Sequence, residues 1–325
     1  MKNKSVAIVG GGASGLLCAI LCARKSLKVD IFEQNAKVAK KILVSGNGRC
    51  NISNINLNVN DYFSNNYAFM KPALDNFGYK EFEKFCLSIG LILQTKNDGR
   101  VYPLSNEAKS VVALLLSEAK KLSIKINLNS KITDIKKLAS EYDSLVIATG
   151  SLAGSHLGGN NDGLEFAKEF SHNIITPYPS LVQLHLDSNI APKMSGSKIN
   201  AEVSLFVNNK LSTSSSGDIL FTSYGVSGFA ILDISQSASV ALLEYLKVDI
   251  SINLLPTYNA QKLSNHILKM ASHSSESKIS EILSGLIPIK IAIHLLESLN
   301  IDNSTLVKNI GVKLSKKIAN TMLNW

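Results

Sequence analysis

The chain carries apolar residues in two textures. In the first half, short continuous apolar runs alternate with stretches of helical periodicity. Ser5–Val9 reads as a buried strand, the apolar run after the next glycines to Arg24 as a helix, and Val29–Phe32 as a second strand. A polar, lysine-rich turn from Gln34 to Lys41 follows, and Ile42-Leu43-Val44 then leads into a loop that stays asparagine-rich to Asn66. Helix is expected to resume from Lys71 and over Tyr79–Ile89, and Gly99–Pro103 reads as a turn with a short extended piece. Over Ala108–Leu122 the residues Val111, Val112, Leu115, Ala119 and Leu122 keep helical spacing. Ile124–Leu128 alternates as a strand, Lys131–Ile135 reads as another, and Tyr142–Ala148 as a buried one.

From about Pro177 the texture changes. Leu181–Leu186, Ile199–Val207 and Asp218–Thr222 read as short strands between Ser- and Gly-rich turns, and Ser212–Ser216 as a short polar loop. Ala241–Leu246 fits either a helix or the end of a strand region. Tyr258–Met270, Ser277–Leu286, Ile289–Leu299 and Ser304–Leu323 read as short helices.

The first two strands and the helix between them carry a motif. Gly10-Gly11-Gly12-Ala13-Ser14-Gly15 follows the first strand directly, and Glu33 closes the second. Gly10 permits a tight turn, Gly12 leaves the backbone open to a pyrophosphate, and Gly15 lets helix and sheet approach closely. The helix N-terminus offers unpaired N–H groups and a partial positive charge, here with Ala13 and Ser14 in its first turn. Glu33 stands at about the ~20-residue spacing where a carboxylate meets ribose hydroxyls. It also opposes a 2′-phosphate by like charge, which disfavours NADP in this site. Gln34 follows it in the same strand-end turn.

Composition narrows the class. A chain of 325 residues that is 45% hydrophobic and 18% charged is globular, with room for two or three domains. The formal net charge of +9 comes from lysines spread along the chain, without a basic block or a basic–aromatic patch, so no nucleic-acid partner is expected. Arg24, Arg49 and Arg100 are the only arginines. Cys18, Cys22, Cys50 and Cys86 form no C-x-x-C pair, and the six histidines no metal-ligand spacing, so no metal site is expected. Three consecutive glycines break the N-terminal apolar stretch, which is therefore not a leader, and no other stretch is long enough to span a membrane. A reducing cytoplasm suits the free cysteines.

Further blocks sharpen the picture. They are Lys41 to Asn51 (with Ser45-Gly46-Asn47-Gly48-Arg49-Cys50-Asn51), Gly99 to Pro103, Leu145 to Gly150 and Gly217 to Leu232. With the glycine turn, they resemble the YhiN/BaiN-type family of bacterial NAD(P)/FAD-dependent oxidoreductases, which includes the aminoacetone oxidase-like FAD-binding enzymes. The resemblance implies FAD as the nucleotide, with NAD(P)H a candidate electron donor. It places a small-molecule substrate on the flavin and leaves the oligomeric state open. Gly46 and Gly48 allow unusual backbone angles, Arg49 can pair with a phosphate or brace the loop, and Asn51 can bond a flavin edge. Cys50 fits either a redox thiol or a small buried residue. Ala148-Thr149-Gly150 fits a strand end beside a cofactor, and a purely structural strand end almost as well. The resemblance adds a backbone contact at Ile132 to the adenine. Arg100 and Tyr102 are candidates for the substrate side, with a role in a structural turn the favoured alternative for both. Tyr224 and Ser227 lie in a family-like block, but Ser223 and Phe229 stand where the family more often has histidine and proline.

The expected fold is α/β, a Rossmann-like FAD/NAD(P)-binding domain with an inserted β-rich plus helical module. Its expected segments are 1–176 for the nucleotide domain, 177–255 for the β-rich insert and 256–325 for the helical insert. The family usually continues beyond the point matching Trp325 with a segment that completes the flavin site. Two functions are therefore expected as alternatives: flavin-mediated hydride transfer on an unidentified small molecule, or a truncated, non-catalytic dinucleotide-binding protein. No second G-x-G-x-x-G follows a strand, so no separate nicotinamide domain is expected.

Overall fold

The N-terminal apolar run becomes an inner strand of a parallel sheet. In the computed structural model, which describes residues 4–62, 66–273 and 276–325, the chain divides into two units, Met1–Ile175 and Thr176–Trp325. In chain order the first unit holds β1 (Ser5–Val9), α1 (Ala13–Ala23), β2 (Lys28–Phe32), α2 (Lys40–Val44), β3 (Ser53–Asn54), α3 (Lys71–Asn76) and α4 (Tyr79–Ser88). It continues with β4 (Leu93–Thr95), β5 (Arg100–Pro103), α5 (Ala108–Lys121), β6 (Lys125–Asn127), α6 (Ile135–Glu141), β7 (Ser144–Ile147) and α7 (Asp162–Glu169).

The main sheet runs β6-β2-β1-β7, and every pairing is parallel. Because side chains alternate along a strand, β1 feeds two cores at once. Val6 and Ile8 pack with Leu16 and Ile20 of α1 and Val111, Leu115 and Ala119 of α5. Ala7 and Val9 face Ile135 and Leu138 of α6 and Phe166 of α7. This two-sided burial explains why β1 reads as a continuous apolar run. Arg24, at the end of α1, ties the first layer together. It donates to Glu118 of α5 at 2.7 Å and to the Ser88 hydroxyl at 2.8 Å. A small antiparallel sheet, β3-β5-β4, completes the unit.

The strand expected over Lys131–Ile135 is not formed. Asp134 instead caps α6, its carboxylate accepting from Lys137 N–H at 2.8 Å. Ile135 and Leu138 then share the buried face of that helix. An aspartate before an apolar i, i+3 pair is a helix start, and it outweighs the local alternation.

The second unit contains β8 (Leu184–His185), β9 (Lys198–Val207), β10 (Lys210–Thr222), β11 (Gly225–Ser227), α8 (Phe229–Leu243) and β12 (Val248–Asn253). The helices α9 (Ala260–His273), α10 (Ile279–Leu283), α11 (Ile289–Ser298) and α12 (Val312–Leu323) follow. Its antiparallel sheet has the order β12-β9-β10-β11-β8. Sheet and helices share one core: Ala201, Val203 and Leu205 of β9 meet Ile231 and Ile234 of α8, Leu263 and Ile267 of α9, and Ile318 of α12. Ser212–Ser216, expected as a loop, lies inside β10. Pairing with β9 holds this stretch in the ladder along one edge, and Ser214 and Ser204 hydroxyls meet across the strands at 2.9 Å. A strand held by ladder bonds with one polar face needs little apolar content, which is why composition concealed it.

Candidate functional site

The glycine turn is sterically determined at two points and open at a third. Gly10 leaves β1 with φ +112, and a Cβ there would lie 2.3 Å from the Ala148 carbonyl oxygen. A Cβ on Gly15 would lie 2.0 Å from the Gly10 carbonyl oxygen. At Gly12, the N-cap of α1, a Cβ would meet nothing within 4 Å. Gly12 brings no capping side chain, and the first turn of α1 holds no acidic residue. The positive end of this helix dipole therefore faces open space.

That space is a cavity of about 590 Å³ within the first unit. Gly10, Gly12, Ala13 and Ser14 line it from the turn, and Ala148, Thr149 and Gly150 from the end of β7. Glu33, Gln34 and Ile132 line it from the sheet's C-terminal edge. Gly15 sits behind this wall, where it lets α1 pack on the turn. Glu33 is only 8% exposed. One of its carboxylate oxygens accepts from Gly11 N–H at 2.8 Å. The other accepts from the Asn35 backbone N–H at 2.8 Å and the Asn35 side-chain amide at 2.6 Å. Glu33 thus clasps the turn while still presenting an edge to the cavity.

Lys41, Ser45, Cys50 and Asn51 add a further wall. The loop that carries them is held in left-handed backbone at Gly46 (φ +56), Asn47 (+55), Gly48 (+80) and Cys50 (+61). A Cβ on Gly46 would lie 2.7 Å from Asn51 N, so only glycine fits. Arg49 is not in the cavity wall. Its Nε donates to the Gly46 carbonyl at 3.3 Å, and its guanidinium lies 5.5 Å from the Tyr102 ring centroid. It braces the loop through hydrogen bonding and cation–π attraction. Tyr102 is buried beneath it. Arg100 is paired with Asp98, its Nε donating at 2.8 Å. Neither Arg100 nor Tyr102 lines the cavity.

Cys50 is 4% exposed. Burial pushes its thiol up, and the Ser45 hydroxyl offsets part of that. Burial also pushes Cys86 up to about 12, with Glu83 and Cys50 adding to it. Both thiols line the cavity as neutral groups at neutral pH. Cys18 and Cys22 are half-buried on α1, and burial and the neighbouring thiol raise Cys18 to about 11.

Residues 4–322 match the family described as HI0933-like protein Rossmann domain. The chain belongs to this family. It is 30% identical over 305 residues to the 3-dehydro-bile acid delta(4,6)-reductase of Clostridium scindens, covering 90% of this chain and 74% of that one. It is 26% identical to the ribosomal RNA dihydrouridine synthase of Haemophilus influenzae, over 98% of this chain and 80% of that one. The same identity holds for the ribosomal RNA dihydrouridine synthase of Escherichia coli, over 100% and 81%. The family resemblance read from the glycine turn and the Ser45–Asn51 loop is thereby shown. Among the described residues, no helix is long and apolar enough to cross a membrane.

The family's Rossmann unit brings further residues to the cavity that sequence reading passed over. Gly158, Gly159, Asn160 and Asp162 form one side. Gln34 donates to the Gly158 carbonyl at 2.9 Å, Asn160 donates to Gln34 at 3.2 Å, and Lys131 pairs with Asp162 at 3.4 Å. Lys41 reaches the Ser151 carbonyl at 3.3 Å. The available signal was the run Gly158-Gly159-Asn160-Asn161-Asp162-Gly163, a turn-forming stretch shortly after the Ala-Thr-Gly strand end. Leu17, Phe82, Phe85, Val111 and Leu115 also line the cavity. Their helical spacing marks them as core, and nothing in it distinguishes a core side chain from a cavity wall.

Proposed function

We propose that this protein is an FAD-dependent oxidoreductase that reduces a carbon–carbon double bond conjugated to a ring carbonyl. The observation that carries the cofactor reading is the open position at Gly12, where an uncapped helix N-terminus faces a cavity. Backbone amides at Ala13 and Ser14 would hold the pyrophosphate there. Glu33 would accept ribose hydroxyls, and its charge disfavours a 2′-phosphate. The Ala148–Gly150 and Ser45–Asn51 walls would bound the rest of the nucleotide, with Asn51 able to both donate and accept. When bound, the flavin supplies hydride chemistry at its N5. The chain's part is to bind, orient and keep neutral thiols, not ions, in that wall.

The substrate class rests on chemistry shared by the relatives' names. A delta(4,6)-reductase acting on a 3-dehydro compound and a dihydrouridine synthase both add hydrogen across a ring double bond next to a carbonyl. Purified protein should carry a flavin spectrum or gain one on titration with FAD. NADH or NADPH, the proposed donor, should then bleach that spectrum, and a cyclic enone should restore it in the absence of oxygen. A colourless protein whose fluorescence and melting ignore added FAD would sink the proposal.

A further inference from the structure

Of the three arginines, Arg24 is held by Glu118 and Ser88, and Arg100 by Asp98. Arg49 pairs with no carboxylate among the described residues. It is exposed, and it stands outside the wall of the nucleotide cavity. Its Nε donates to the Gly46 carbonyl at 3.3 Å, and the face of its guanidinium lies 5.5 Å from the Tyr102 ring centroid. Nη1 and Nη2, the tips of the fork, have no partner among the described residues.

A brace alone does not need a guanidinium, because a lysine ammonium also gives a hydrogen bond and cation–π attraction. The planar fork adds parallel N–H donors that match the oxygens of a carboxylate or phosphate. At a surface, side-chain freedom offsets much of such a pairing, but this fork is already ordered. Arg49 lies between Gly48 (φ +80) and Cys50 (φ +61), so left-handed backbone on both sides sets the direction in which it leaves the loop. Tyr102, buried beneath it, gives the guanidinium a fixed seat. No acidic residue occurs from Gln34 to Asn60 to compete for the fork within its own segment. Gly46 sets its place relative to the cavity: the Gly46 carbonyl receives Arg49 Nε, and a Cβ on Gly46 would lie 2.7 Å from the nitrogen of Asn51, a wall residue. We infer that Arg49 is a specificity-determining residue, whose Nη atoms donate to the carboxylate or phosphate group of an anionic substrate at the outer edge of the Ser45–Asn51 loop. That the anion is a substrate rests on the reductase reading; the oxyanion site itself does not require bound FAD.

The test uses 2-naphthoate, 2-naphthyl phosphate and the neutral ester methyl 2-naphthoate. Each is titrated calorimetrically into the full chain, with and without FAD, at about 0.15 M salt, where exposed charges more than about 8 Å apart are screened. At least one of the oxyanions should bind about tenfold or more tightly than the ester, and the tighter of the two names the group. Arg49→Gln should abolish that preference, and Arg49→Lys, which keeps the charge without the fork, should restore only part of it. A bracing role alone would weaken all three probes together or none, so the ratio of oxyanion to ester affinity is the deciding quantity. Phenylglyoxal modification of the wild-type chain, mapped by mass spectrometry, decides the matter if Arg49→Gln does not fold: the tighter oxyanion should protect Arg49 and the ester should not. Equal binding of ester and oxyanions, failure of both oxyanions to bind, a preference that survives Arg49→Gln, or full restoration by lysine would each overturn the inference. Protection of Arg49 by FAD would overturn it as well, and would return this side chain to the nucleotide. A chain that ignores FAD but shows the Arg49-dependent preference keeps this site and loses the flavin reading; a flavin-binding chain without the preference does the reverse.

Discussion

At the residue scale, the three glycines of the fingerprint serve different physical needs, and substitution separates them. Gly15 and Gly10 are required by the fold, because a Cβ at either would fall 2.0 or 2.3 Å from a backbone oxygen. Gly12 is not, because a Cβ there meets nothing within 4 Å and its φ of −80 suits any residue. Gly12→Ala should therefore cost below about 1 kcal/mol, the scale of an N-cap change. It should nonetheless weaken FAD binding by at least about tenfold, because the added methyl stands where phosphate oxygens approach the backbone. Gly15→Ala should lose the first unit's cooperative transition. Thermal melts with and without FAD read both outcomes; equal behaviour of the two variants would mean that the open space at Gly12 is not a ligand site. The turn was legible from sequence because its steric demands are local. Glu33's clasp on Gly11 was not, since nothing in spacing alone shows which donors a buried carboxylate will find.

At the element scale, α6 shows where local pattern and capping disagree. Lys131–Ile135 alternates like a strand, yet Asp134 accepts from Lys137 N–H at 2.8 Å and starts a helix whose Ile135 is fully buried. Asp134→Ala should destabilise the first unit by about 1 kcal/mol, and Asp134→Asn should restore most of it. Urea unfolding followed by circular dichroism measures the difference; no change in midpoint for the alanine variant would mean that Ile135 and Leu138 hold the helix without its cap. The same logic explains the strand over Lys210–Thr222. Its Ser212–Ser216 stretch looks like a loop in isolation, because the stabilising partner, β9, contributes bonds that composition does not carry. Elements set by their own capping or apolar face can be read from a chain. Elements set by a neighbour cannot, and the apolar cavity wall on α4 and α5 is of the second kind.

At the scale of the whole molecule, two units with separate cores should unfold as two cooperative bodies, and pH distinguishes them. All four cysteines lie in the first unit. There burial raises Cys86 to about 12 and Cys18 to about 11, and burial with the Asp30 hydrogen bond, 2.5 Å long, raises Tyr142 to about 12. Each of these groups is neutral when protonated, and each holds its proton more tightly folded than unfolded. Their stabilising contribution is fully present below the unfolded values of 9.0 for cysteine and 10.0 for tyrosine. It is lost as pH rises through the folded values. The first unit's melting transition should therefore fall steadily from about pH 9 upward, while the second unit, which holds no cysteine, keeps its transition over the same range. On the proposed binding of FAD to the folded first unit alone, FAD should raise that same transition and leave the other in place, by an amount that grows with the logarithm of its concentration. Differential scanning calorimetry from pH 7 to 11, with and without FAD, tests both shifts on one pair of peaks. A single transition moving as a whole would show that the two cores unfold together, and a FAD shift on the alkali-insensitive peak would place the nucleotide outside the glycine-turn cavity.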